Sequence, residues 1–189
     1  MNTRNMKVIG LMTALAMAGC SANQRKPALD VEAYKEEIRL WQQKRNAYQV
    51  SENGWVNIAG LFWLKEGINS FGSGTDNDLV FPEGKIPEHA GYLLMQHDIV
   101  TLHGAQGVEF IINGTKTSSA RVYHPDSSLV IMEHGSLRWF CIEREGKIGV
   151  RLRDLEHPHL KEFSGIDFFD IDPDWRIEGR VAWLTHRVQ

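Results

Sequence analysis

Hydrophobic positions follow two different rhythms along this chain. Between Asp30 and Gly54, the apolar residues Tyr34, Ile38, Trp41 and Tyr48 recur at three-, four- and seven-residue intervals with charges between them. That spacing predicts one amphipathic helix of about four to five turns, capped by Asp30 and ended by Ser51-Glu52-Asn53-Gly54. Its aromatic stripe is expected to pack on the body of the protein.

From Trp55 onward the helical period gives way to short runs typical of strands. They fall at Trp55–Ala59, Leu61–Leu64, Ile68–Phe71, Leu79–Phe81, Ala90–Met95, Ile99–His103 and Val108–Ile112. They continue at Thr117–Tyr123, Leu129–Glu133, Leu137–Glu143, Ile148–Arg153, Ile166–Ile171 and Arg176–Trp183. The breaks carry turn chemistry: Lys65-Glu66-Gly67, Gln96-His97-Asp98, Gly104-Ala105-Gln106-Gly107, Asn113-Gly114, His134-Gly135 and Glu145-Gly146. Asn113-Gly114 gives the sharpest hairpin signal, because both residues tolerate the positive φ of a type I′ turn. Many short strands without intervening helices predict antiparallel sheets in a sandwich or barrel.

The N-terminus follows neither rhythm. Arg4 and Lys7 precede an apolar run, Val8–Ala16, too short to span a bilayer, and Ala18-Gly19 then leads to Cys20. This is the pattern of an export signal. Met17-Ala18-Gly19-Cys20 resembles the bacterial lipobox, in which the cysteine is acylated and becomes the first mature residue. An ordinary cleaved signal containing a cysteine is the alternative. The expected organisation is a signal peptide over 1–19, a polar tether over 20–29, and one β-rich domain with its helix over 30–189. By resemblance to enterobacterial sorting, Ser21 after the cysteine points to the outer membrane, facing the periplasm.

With 189 residues and 42% apolar content, the chain can bury one substantial core. It carries 21 basic and 24 acidic residues; the leader removes two bases and no acid, taking the net charge from −3 to −5. No basic run tracks a phosphate backbone, which argues against nucleic acid as a partner. Only Cys20 and Cys141 are present, so a lipid on Cys20 leaves Cys141 unpaired. Cys141 lies in a strand-like run with no local base and is expected to be buried and inert.

The residues Gly54-Trp55, Gly60-Leu61-Phe62-Trp63-Leu64, Gly67-Ile68-Asn69-Ser70-Phe71-Gly72-Ser73, Asn77-Asp78 and Pro87-Glu88-His89-Ala90-Gly91 occur in one order. Gly135-Ser136-Leu137, Gly149-Val150-Arg151 with Asp154, and Pro173-Asp174-Trp175-Arg176 follow. Through them the chain resembles the bacterial family known as domain of unknown function 1684, over most of its mature length. That resemblance implies no activity. Members continue into a segment with Gly-Arg-Phe, Asp-Phe-Asn and Asn-Pro-Pro-Cys elements, so the resemblance implies a member lacking that segment.

Leu64–Gly114 also resembles part of a forkhead-associated domain, a phosphothreonine-reading sandwich, through the glycine-rich turn, Asn77-Asp78-Leu79-Val80, His89-Ala90 and Asn113-Gly114. The implied fold is mostly β: an antiparallel β-sandwich of the forkhead-associated kind, preceded by one amphipathic helix. The phosphate donors are not shared, since Ser73, Ile86 and Pro87 occupy their places. Loss of the charged forks argues against phosphothreonine peptides as partners. His89 and Asn113 match supporting positions, and His89 is expected to donate a ring N–H to a loop carbonyl and hold the glycine-rich turn.

Arg151 and Arg153 fall on one face of a strand, where two guanidinium groups can grip a carboxylate or phosphate; Asp154 follows them. The alternative is a structural ion pair of one arginine with Asp154, Asp170 or Glu143. His157-Pro158-His159 offers two imidazoles without a third ligand at fixed spacing, so no metal or other cofactor is assigned. Asp167, Asp170, Asp172 and Asp174 read as a solvated strand edge. Most of the six tryptophans are expected in the core.

The function implied is a lipid-anchored envelope module that binds a small molecule or protein. Its candidate ligand-binding residues are His89, Asn113, Arg151, Arg153 and Asp154. The alternative is an envelope hydrolase acting on a metabolite or glycan through the arginine, aspartate and histidine groups.

Overall fold

A computed structural model of the chain describes residues 29–179, 181 and 182. The leader, Cys20, most of the tether, and Arg180 and Trp183 of the last expected strand lie outside the described residues.

Helix α1 spans Val31–Gln49, and the Asp30 carboxylate accepts the N–H of Ala33 at 3.0 Å, the expected cap. Its stripe packs less deeply than expected: no helix residue is buried, and Trp41 stays about half exposed. What lies against it is the C-terminal segment. Trp41 meets Phe168 edge-on at 5.9 Å, and the Asn46 side chain accepts the N–H of Ile166 at 3.0 Å.

That segment forms no strand among its described residues, contrary to the reading of Ile166–Ile171 and Arg176–Trp183. Its apolar residues have no sheet to bury against: Phe169 and Ile177 are exposed, and Phe168 packs on α1. Between the two runs, the Asp172 side chain accepts the N–H of Asp174 and closes a 3₁₀ turn over Pro173–Trp175.

Between these flanking pieces sit two sheets. The strands are β1 (Ile58–Trp63), β2 (Gly67–Gly72), β3 (Leu79–Val80), β4 (Gly91–Gln96), β5 (Ile99–Gly104) and β6 (Phe110–Ile112). They continue as β7 (Thr115–Thr117), β8 (Ser119–Tyr123), β9 (Met132–His134), β10 (Leu137–Arg144) and β11 (Lys147–Asp154). One sheet runs β1-β11-β10-β9-β6-β7, and the other β3-β2-β4-β5-β8. Every pairing is antiparallel except the two-residue β2–β3 pair. Over the described residues the protein is therefore a mostly β, two-sheet sandwich with one long N-terminal helix.

Three hairpins close through two residues of positive φ: His97-Asp98 between β4 and β5, Asn113-Gly114 between β6 and β7, and Glu145-Gly146 between β10 and β11. Type I′ turns match the right-handed twist of their strands, which is why these breaks were visible in the sequence. After β11, the chain turns through residues 155–158 into a short helix α2 (His159–Glu162).

The core follows strand alternation. Leu137, Trp139 and Cys141 of β10 and Val150 and Leu152 of β11 face Phe71, Leu93, Val100 and Leu102 of the second sheet, all buried. Phe71 sits at the centre, with ring centroids of Phe81 at 5.5 Å, Phe110 at 5.6 Å and Trp139 at 6.0 Å. Aromatic pairs at these distances add about 0.5–1.5 kcal/mol each beyond the area they bury.

Candidate functional site

The tryptophans depart most from expectation. Trp139 is fully buried, but Trp55 is 60% exposed and Trp63 48%. Trp63 stands on the outer face of the six-stranded sheet because of register, and Trp55, in the bend before β1, reaches that face through Arg151. β1 pairs with β11 so that Leu61 lies opposite Arg151 and Trp63 opposite Gly149. Since Val150 and Leu152 point into the core, their neighbours in β11 point out.

The Trp63 ring folds over Gly149, where a β-carbon would come within 2.8 Å of it. Arg151 places its guanidinium 5.6 Å from the Trp55 ring centroid. The result is a row running from Trp63 through Leu61 and Arg151 to Trp55, apolar with one cation among it.

Arg153 shares this face, as alternation predicts, but is buried. Its Nη1 donates to the Gly54 carbonyl and, at 2.7 Å, to the side-chain oxygen of Asn57, while its guanidinium lies 6.0 Å from the Phe140 ring centroid. Burial lowers its pKa, and the Arg151 charge adds to the shift. Arg153 thus locks the segment after α1 onto the sheet. The carboxylate partners expected for it are replaced by a backbone carbonyl and an amide.

Asp154 faces away from the arginines. It is 2% exposed and accepts Ser136 Oγ–H at 2.7 Å and the Glu156 N–H at 3.0 Å, with Lys85 Nζ at 3.6 Å. Lys85 also donates to Glu156 at 2.6 Å and to Ser136 Oγ at 3.2 Å. Burial pushes the Asp154 carboxyl up, but the bonds from Ser136 and Glu156 and the Lys85 charge outweigh it and hold the pKa below its ordinary value. Lys85 is raised, first by its bond to Glu156. The cluster borders a cleft of about 590 Å³ lined by Lys85, Leu155, Glu156, His157, Leu160 and Lys161.

His89 does not hold the glycine-rich turn. Its side chain is 64% exposed, with Nε2 3.8 Å from the Asp76 carboxylate. The turn is held by Asn77, whose Nδ2 donates to the carbonyls of Gly74 and Glu88, each at 2.8 Å. Ser73 Oγ donates to the Ile86 carbonyl at 2.9 Å. Asn113 has the positive φ its turn requires; its N–H donates to the Ile131 carbonyl and its Oδ1 accepts the Ile131 N–H, both at 3.1 Å.

The five candidates therefore separate. Arg151 and Arg153 share the outer face, Asp154 joins Lys85 and Ser136 on the other side, and His89 and Asn113 belong to two loops. Sequence reasoning missed Asn57, Asn77, Lys85 and Ser136 because their roles depend on partners between 3 and 96 residues away. Only Asn77, inside an Asp-Asn-Asp turn, carried a local signal.

No protein-family model and no curated protein matches the sequence. Among solved structures, two forkhead-associated (FHA) domains are similar to part of the chain. One comes from work on phosphothreonine-dependent FHA interactions, at 13% identity and a TM-score of 0.34, covering 49% of this chain and 92% of that one. The other is the FhaA FHA domain in complex with another protein's intracellular domain. It also has 13% identity and a TM-score of 0.34, covering 49% of this chain and 97% of its own.

Proposed function

We propose that this chain is a lipid-anchored interaction module of the bacterial envelope, a member of the domain of unknown function 1684 family. Its working surface is the outer face of the six-stranded sheet, and the row Trp63, Leu61, Arg151 and Trp55 is the observation that carries this reading. Large aromatic side chains beside an arginine are the residues that dominate binding energy at interfaces, and here they are exposed rather than used in the core. The anchor is supported by the lipobox-like Met17 to Cys20, and the net charge of −5 after leader removal weighs against nucleic acid. Phosphothreonine is disfavoured because Ser73 spends its hydroxyl on Ile86 and the charged donors are replaced.

The test is a thermal-shift screen of the full chain against glycan fragments, extended peptides, acidic metabolites and divalent metals, followed by Trp55→Ala, Trp63→Ala and Arg151→Ala. A ligand shift lost in these variants, with the unliganded melting temperature retained, supports the surface. A shift lost instead in Lys85→Met or His157→Ala sinks it. That outcome favours a second reading, a hydrolase working in the cleft beside Lys85, Ser136 and Asp154. The bonding in that cluster speaks for an ion pair over a general base: the lysine is held protonated and the aspartate ionised.

A further inference from the structure

We propose that β1 takes up an uncharged, extended segment of a partner protein by strand addition along its free edge. This inference rests on the reading of the chain as an interaction module and specifies how the partner docks.

β1 is the terminal strand of the six-stranded sheet. The Leu64 N–H donates to the Ile148 carbonyl at 2.9 Å in the same register that pairs Trp63 with Gly149 and Leu61 with Arg151. Antiparallel residues alternate between bonding the neighbour and pointing away, so Gly60, Phe62 and Leu64 bond β11. Leu61 and Trp63 turn their N–H and C=O groups to the free edge. The Trp63 ring, folded back over Gly149, leaves that edge open.

The other three edges are blunted in ways that discourage strand pairing. β3 is two residues long, β7 is three residues long and carries Lys116, and β8 carries Arg121. β1 has six residues, Ile-Ala-Gly-Leu-Phe-Trp, and no charge. The charges beyond it are engaged within the chain, Lys65 with Asp78 and Glu66 with the His97 N–H.

Paired outward N–H and C=O groups spaced by two residues match another extended backbone. The neutral edge selects a neutral segment. A register shift between Ile58 and Gly60 confines the straight stretch to Gly60–Trp63. That suits a flexible peptide and falls well short of the roughly 1,200 Å² that holds two rigid domains together.

The experiment follows backbone amide exchange in the full chain with millimolar capped Thr-Val-Thr-Val-Thr-Val, and with the same peptide N-methylated at every residue. Strand addition slows exchange at Leu61 and Trp63 by at least about tenfold. The methylated peptide has no effect. Leu61→Pro, which removes a donor that β11 does not use, abolishes the protection at Trp63; if the proline variant melts early, Leu61→Lys, which keeps the donor but puts a charge on the neutral edge, reduces that protection at least about tenfold.

Absence of protection, or equal protection by the methylated peptide, overturns strand addition. Protection that rises with protein concentration alone, with doubled mass in sedimentation, overturns the partner in favour of a second copy. Ligand shifts that still depend on Trp55 and Arg151 would leave the interaction-module reading intact in each case, whereas shifts that persist in the Trp55→Ala and Arg151→Ala variants would end that reading separately.

Discussion

Asn77 donates through Nδ2 to the carbonyl of Glu88 at 2.8 Å, tying the glycine-rich turn after β2 to the loop that enters β4. With its second bond to Gly74, one largely buried amide performs the role that sequence resemblance gave to His89. Asn77→Ala removes two side-chain bonds, leaving the Gly74 and Glu88 carbonyls only the backbone N–H groups of Asn77 and Gly74, and should cost about 1–3 kcal/mol, whereas His89→Ala, at an exposed side chain, should stay within about 0.5 kcal/mol. Urea melts of the two variants decide it; a larger loss for His89→Ala would return the turn to the histidine.

Asp154 sets an acid limit on stability. Its folded pKa lies below the ordinary value of 3.8, so its stabilising contribution is complete above that pH and fades as pH falls through the folded value. Stability of the native chain should therefore drop below about pH 4, and Asp154→Asn should flatten that drop while costing about 1–2 kcal/mol at neutral pH. Asp78, lowered first by its bond to Lys65, titrates in the same direction, so flattening rather than disappearance is expected. An unchanged acid limb in Asp154→Asn would remove Asp154 from this account.

Cys141 should resist thiol reagents until the sandwich opens. It is buried on the core face of β10, and desolvation pushes its pKa up to about 12. Modification of Cys141 by a disulfide reagent at pH 8, read at that residue by peptide mapping, should track unfolding, with full labelling in denaturant and protection without it. Rapid labelling of Cys141 in the native chain would contradict the burial.

Elements with a local cause were legible in the sequence. The Asp30 cap, the positive-φ turn at Asn113-Gly114 and the alternation of Leu137, Trp139 and Cys141 each need only neighbouring residues to be read. Strand parity also places Arg151 and Arg153 on one face, and the same parity sends Asp154 to the other, a consequence the single Arg-Asp constellation overlooked.

The exposed tryptophans were not legible. Hydrophobicity says that Trp63 prefers burial, but only the β1–β11 register puts it on the outer face above Gly149. Among the described residues the last two expected strands are absent because their apolar residues bury against no sheet: Phe168 packs on Trp41 of α1, and Phe169 and Ile177 stay exposed. The cluster of Asp154, Ser136 and Lys85 joins residues 18 and 51 positions apart, a relationship that no local pattern encodes.

Loss of the anchor should be visible by fractionation. If Cys20 is acylated, each buried methylene contributes about 0.8 kcal/mol to membrane attachment, and Cys20→Ser removes the acyl chains together. The variant should accumulate unprocessed or leave the membrane fraction. Mature chain recovered from the envelope with an unmodified Cys20 would end the lipoprotein proposal.

Asn113 closes the β6–β7 hairpin and also clamps it to the segment entering β9 through its two bonds with Ile131. The two contributions can be separated by substitution. Asn113→Gly keeps the positive φ and loses only the side-chain acceptor, so it should cost about 0.5–1.5 kcal/mol, the net worth of one hydrogen bond. Asn113→Ala loses the acceptor and also places an alanine at φ 47°, adding about 1 kcal/mol of backbone strain. Denaturant midpoints should therefore fall in the order native, Asn113→Gly, Asn113→Ala. Equal midpoints for the two variants would mean that the bond to Ile131 carries the whole effect, and an unchanged midpoint for both would remove Asn113 from the structural account and reopen it as a ligand-binding residue.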